Sequence, residues 1–115
     1  MTEFPLSYHF EGKEPVVRSI YDRILKEVKK FGKVVEEPKK TSIHLANKSA
    51  FAGVVTRKTA LILNIKSSAP IKHARITKSE QVSASRFHQE VKLISPDEVD
   101  PTPIGWLQEA YLLSS

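Results

Sequence analysis

The sequence predicts a two-layer α+β domain, an antiparallel sheet of about five strands with an N-terminal and a C-terminal helix packed on one face. Three observations lead there. A helical repeat of apolar residues near the N-terminus gives way to a run of short segments with a two-residue repeat, and a second helical stripe ends the chain. The connections between the two-residue segments are hairpin-length, which implies antiparallel neighbours, because parallel ones need crossovers of about a dozen residues or more. A length of 115 residues suits one domain, 1–115, with a single core.

The first helix is read from Glu14 to Phe31, where Val17, Ile20, Tyr21, Ile24, Leu25, Val28 and Phe31 recur at three- and four-residue steps along one face. Pro15 suits the first turn, where its missing N–H has no helical partner to lose, and Gly32 suits the stop. The opposite face alternates charge, with Asp22 and Lys26 at the favourable four-residue spacing. Lys33 to Glu36 then reads as a short strand interrupted by Pro38. Thr41 to Ala46 follows, with Ile43 and Leu45 on one side and Ser42, His44 and Ala46 on the other. Asn47 and Lys48 make a turn, and Ala50 to Thr56 and Thr59 to Ile65 are strands joined through Arg57 and Lys58.

In TALILNI, Leu61, Leu63 and Ile65 share one face and Ala60, Ile62 and Asn64 the other. Ser67 to Pro70 is a loop. Ile71 to Lys78 and Phe87 to Ile94 are further strands, separated by the polar stretch SEQVSAS. Ser95 and Glu98 have capping-box spacing, and Asp100 before Pro101 has that of an N-cap and first helical position. Ile104, Leu107, Ala110 and Tyr111 form the final apolar stripe, with Trp106 beside it.

Composition narrows the chemistry. The absence of cysteine removes disulfide frameworks, thiolate nucleophiles and cysteine-ligated zinc. No run approaches the roughly 18 apolar residues of a membrane span, and the N-terminus lacks the basic start and apolar run of a signal peptide, so a cytoplasmic protein with no membrane partner is expected. The four glycines are too far apart for a phosphate loop, and no serine sits in a G-x-S-x-G elbow. His9, His44, His73 and His88 do not have metal-ligand spacing, although His44 and His88 lie on strands that can converge. No cofactor or catalytic residue is expected, and an enzyme is the less favoured reading.

The segments HFEGKEPVVRSIYDRIL, KKTSIHLANKSAFAGVVTRKTALILNI and HQEVKLISPDEVD with WLQEAY resemble, in order, the family catalogued as domain of unknown function 5655. A fainter similarity is to the YdhG-like group. The resemblance implies a small α+β domain and supplies no catalytic motif.

Charge is the strongest functional signal. Residues 38 to 79 hold nine lysines and arginines and no acid, whereas the flanks hold the other nine bases and all thirteen acids, so the middle is +9 and the flanks −4. The functional reading is a non-catalytic binding module for nucleic acid or a phosphorylated or acidic ligand, with Lys39, Lys40, Arg57, Lys58, Arg75, Lys78 and His88 as the anion-binding residues. The plainer reading is that lysine keeps sheet edges and turns soluble. Aromatic residues that stack on bases are sparse in this region, where Phe51 stands alone at a core position. Two alternatives stay open: a homo-oligomeric protein-interaction domain, and a small-ligand or enzymatic domain with a pocket near His88, Arg75 and Trp106, aromatic residues more often being core.

Overall fold

The computed structural model describes residues 5–114, and the chain folds as an α+β domain of two helices and a six-stranded antiparallel sheet. Residues 1–4, where the reading of the N-terminus begins, and residue 115 lie outside the described residues. A 3-10 turn over Leu6–Phe10 leads to α1, Pro15–Val28. The strands are β1, Val35–Pro38; β2, Ile43–Ala46; β3, Ala50–Thr56; β4, Leu61–Ser67; β5, Ile76–Ser83; and β6, Arg86–Leu93. A 3-10 turn at Pro96–Glu98 precedes α2, Pro101–Leu113. Across the sheet the order is β1-β2-β3-β4-β6-β5, and each neighbouring pair is antiparallel.

The helix signals act where the sequence puts them. Val17, Ile20, Tyr21, Ile24 and Val28 are all buried, as their spacing requires, and Pro15 occupies the first turn. The helix stops at Val28, three residues before the end of its apolar stripe, and a turn carries the partly buried Phe31 back against the core. Gly32 follows with φ +148°, a conformation open to glycine because it has no Cβ. At the other end the capping box is complete: Ser95 Oγ accepts from the Asp97 amide, and Glu98 Oε1 accepts from the Ser95 amide at 3.1 Å. Asp100 caps α2 by accepting from the Thr102 amide at 3.1 Å.

Register decides the two faces of the sheet. Val54 stands opposite Leu63 and Leu63 opposite Val91, while Leu61 stands opposite Leu93. These side chains are buried and share one hydrophobic cluster with Ile20 and Ile24 of α1 and Leu107 and Ala110 of α2. The alternate residues of the same strands, among them His44, Gly53, Asn64 and Lys66, belong to the other face because successive side chains on a strand point to opposite sides.

Two strand expectations are corrected. The sheet has six strands, not about five, and the fifth is shifted: residues 71–75 are irregular, and β5 runs through most of the polar stretch read as a connection. β5 is an outer strand with seven of its eight residues exposed, so nothing in its environment demands apolar alternation. At the opposite edge Pro38 ends β1 instead of interrupting it, in a strand with one unpaired side where a missing N–H costs no ladder bond.

Candidate functional site

The face of the sheet turned away from the hydrophobic cluster carries a depression of about 350 Å3 lined by residues that include Thr41, Ser42, His44, Gly53, Asn64, Lys66 and His88. Its floor follows from pairing. His44 of β2 stands opposite Gly53 of β3, which stands opposite Asn64 of β4, and Lys66 stands opposite His88 of β6. Gly53 has ordinary strand geometry, so its role here is spatial: a Cβ at this position has Asn64 Cβ and His44 Cδ2 as its nearest neighbours, each at 3.9 Å. The hollow between those two side chains exists because the residue between them has none.

None of the lining residues is an aspartate or glutamate. The nearest carboxylates in register, Glu37 opposite His44, Glu90 opposite Asn64 and Glu80 opposite His88, belong to the neighbouring strands and lie outside the lining. Lys66 donates from Nζ to Ser114 Oγ at 3.1 Å and to Ser49 Oγ at 3.4 Å, and among the described residues it has no carboxylate partner. Two neutral hydroxyls thus hold its ammonium without cancelling the charge. With two imidazoles, one amide and two hydroxyl-bearing residues around it, this surface offers several hydrogen-bond donors to an anion.

A second depression, of about 430 Å3, adjoins the first and shares Thr41 and Val55 with it. Lys13, Lys40 and Arg57 line it together with Tyr8, His9 and Glu11. These residues come from the N-terminal turn, the β1–β2 connection and the tip of the β3–β4 hairpin. Hydrogen bonds close the β3–β4 hairpin and fix the N-terminal segment to it: the Arg57 amide donates to the Ala60 carbonyl at 2.8 Å, the Glu14 amide to the Lys58 carbonyl at 2.8 Å, and Thr56 Oγ1 to the His9 carbonyl. His9 is buried, and its Nε2 has no hydrogen-bond partner among the described residues.

The residues expected from charge alone divide. Lys40 and Arg57 meet at the second depression and His88 lines the first. Lys39 lies in the β1–β2 connection, its amide bound to the Ser42 carbonyl, and Lys58 is at the exposed hairpin tip. Lys78 is on the outer strand and pairs with Glu80 at 3.4 Å. Arg75 is engaged elsewhere: its Nη1 donates to both carboxylate oxygens of Asp100, at 2.9 and 3.0 Å, and its Nη2 to the Glu98 carbonyl. Neither Arg75 nor Trp106 lines the depression that holds His88; Trp106 instead meets His73 edge to face at 5.2 Å between ring centroids. Charge counting passed over Tyr8, Lys13, His44, Gly53 and Asn64, which reach the site through register and hairpin closure; the glycine inside a strand was the one local signal of close approach or open space. Among the described residues no group of three or more histidine, aspartate or glutamate side chains is placed to hold a metal ion, and no helix is long and apolar enough to cross a membrane.

The model of the family described as domain of unknown function (DUF5655) matches residues 7–114, nearly the whole chain, and the chain belongs to that family. No curated protein and no solved structure matches it.

Proposed function

We propose that this member of the DUF5655 family is a non-catalytic cytoplasmic binding module that takes an anionic ligand in the depression over Gly53. The observation that carries this reading is the acid-free depression over Gly53, in which Lys66, His44 and His88 converge. Lys66 is held by two neutral hydroxyls and has no carboxylate partner among the described residues, which leaves its neutralising partner for a ligand to supply. A volume of about 350 Å3 lies at the small end of the range for small-molecule sites, so the bound group is compact, of the phosphate class.

A sheet-edge oligomer has less support. β5 carries two irregularities in its pairing with β6, between Ile76 and Lys78 and between Gln81 and Ser83, and β1 is four residues long and ends in proline. Bulges, short strands and edge proline all discourage pairing with a further strand.

The test is calorimetric titration with inorganic tripolyphosphate at 50 mM salt, with Lys66→Met and His88→Ala as site variants. Binding that weakens tenfold or more in Lys66→Met is expected, with a melting temperature lowered only by the loss of its bonds to Ser49 and Ser114. Absence of binding at that ionic strength removes the proposal.

A further inference from the structure

Resting on the reading that the depression over Gly53 binds a phosphate-class anion, we infer that the second depression is a further subsite for the same ligand, a linear phosphate chain long enough to engage both. Lys13, Lys40 and Arg57 line this depression against one carboxylate, Glu11, so the lining carries a net +2 with His9 counted as neutral. Among the described residues none of these three bases forms an ion pair, in contrast to Arg75 on Asp100 and Lys78 on Glu80. The bonds from the Glu14 amide to the Lys58 carbonyl and from Thr56 to the His9 carbonyl keep the segments of Lys13 and Arg57 side by side. Positive charge is thus gathered here without being cancelled.

His9 supplies an independent observation. It belongs to the same lining, is 5% exposed, and its Nε2 has no hydrogen-bond partner among the described residues. Buried polar atoms are paired in most folded proteins, and an orphan beside three uncancelled cations is accounted for by a group that the ligand brings. With its proton on Nε2 the imidazole is a donor, as the lysines are. The ring of Tyr8 is already engaged, edge to face with His9 at 5.3 Å, and has no part in holding the ligand.

The two depressions share Thr41 and Val55, and Glu11 is the one carboxylate among their described lining residues, so no negative charge divides them. Gly53, in the first lining, and Arg57, in the second, are four residues apart along β3 and its continuation, about 13 Å at the rise of an extended strand. A single phosphate does not cover that distance, and a chain with a charge at each link does. Hydrogen-bonding balance favours a phosphate chain over an acidic peptide. Phosphate oxygens are acceptors only, and the linings answer with the lysine ammonium groups, the planar fork of Arg57 and the amide of Asn64. A peptide also needs partners for its own N–H and C=O groups, which it finds at a sheet edge, whereas β2, β3 and β4 are interior strands already paired on both sides.

The experiment is calorimetric titration at 50 mM salt with tripolyphosphate, with linear polyphosphate of mean length 14, and with a peptide of fourteen glutamates. Joining groups that engage two subsites raises affinity by about 10²- to 10⁴-fold, so the long chain should bind at least 100-fold more tightly than tripolyphosphate, and the peptide no more tightly than tripolyphosphate. A joint Lys13→Met and Arg57→Met variant should bring the long chain to within about tenfold of tripolyphosphate, whose own affinity stays within about twofold of the parent's. Lys40→Met, at an exposed position, should remove part of the gain, and it gives an independent reading should the joint variant melt below the parent. A joint Lys29→Met and Lys72→Met variant removes the same charge at exposed positions outside both linings and should keep the gain. Equal losses in the two joint variants, a long chain no tighter than tripolyphosphate, or a glutamate peptide bound as tightly as the long chain each overturns the inference, while a tripolyphosphate complex weakened by Lys66→Met leaves the first site standing. If no phosphate binds, both fall together.

Discussion

Replacing Gly53 by valine separates the fold from the site, because the two are expected to move in opposite directions. A new Cβ at this position meets nothing nearer than 3.9 Å, so the backbone and the packed layer have no reason to shift. Glycine in a strand interior costs about 0.5–1 kcal/mol relative to alanine through the freedom it has in the unfolded chain, and a β-branched residue also suits a strand. The variant should therefore be more stable by about 0.5–1 kcal/mol, a rise of roughly 2–6 °C in melting temperature for a domain of this size. Its three added carbon atoms, each with about the 30 Å3 share of a water molecule, take up about a quarter of the 350 Å3 depression. They stand between His44 and Asn64, where the ligand is proposed to sit. A loss of tripolyphosphate affinity of tenfold or more is expected by calorimetry, with Gly53→Ala giving the same gain in stability and a smaller loss of binding. A valine variant that is more stable and binds as the parent does would place the ligand elsewhere and refute the site.

Three further perturbations test the surrounding structure. Arg75→Met removes the clamp on Asp100 and the Glu98 carbonyl and should lower stability by about 1–2 kcal/mol, discounted for partial exposure, with tripolyphosphate affinity unchanged; a fall in affinity at constant melting temperature would return Arg75 to the site. Gly32→Ala forces a Cβ to within 2.5 Å of Tyr111 Oη at φ +148°, displacing the bond from that hydroxyl to the Lys33 carbonyl, and should cost about 2 kcal/mol or more in denaturant titration. Burial and the hydrogen bond to the Glu36 carboxylate push the Tyr21 phenol far above its ordinary value of 10.0. The folded state then holds this proton more tightly than the unfolded chain does, so the stability it contributes is complete below pH 10 and lost as pH rises. Tyr21→Phe should be less stable than the parent by about 1–3 kcal/mol at pH 7, and the gap should narrow by about 1.4 kcal/mol per unit above pH 10. Paired melts across that range check it.

The sequence was most readable where burial and backbone chemistry act on neighbouring residues. The α1 stripe, the Leu61, Leu63 and Ile65 face of β4, and the caps at Ser95 and Asp100 are each decided within a few positions, and each holds in the structure. β5 was obscured because an exposed outer strand bears no apolar period to detect. The site was readable only in part, for a related reason. Charge counting weighs Arg75 and Lys40 equally, yet Asp100, distant in sequence, engages the first, and the hairpin tip at Arg57 shares a lining with the second. Tyr8 and Lys13 stand outside the acid-free segment altogether, and the bond from Thr56 to the His9 carbonyl brings their turn beside it. Such encounters depend on tertiary closure, which no window along the chain contains.

Core and site are bound to one register, and a buried polar group helps to fix it. In β6, His88 faces the depression while the next residue, Gln89, is fully buried. Gln89 Nε2 donates to Ser67 Oγ at 3.0 Å, and Ser67 Oγ donates to the Ala69 carbonyl at 2.7 Å, at the end of the β4–β6 ladder where Lys66 stands opposite His88. A slip of one residue would move Gln89 to the open face and press the imidazole of His88 into the apolar layer, while Val91 and Leu93 would leave the core. An aliphatic residue in place of Gln89 would fill the same space but remove the polar link between β6 and the loop after β4. By holding this register Gln89 holds Lys66 and His88 opposite each other, so the meeting of these two side chains on which the proposed site depends is a consequence of how the core is specified.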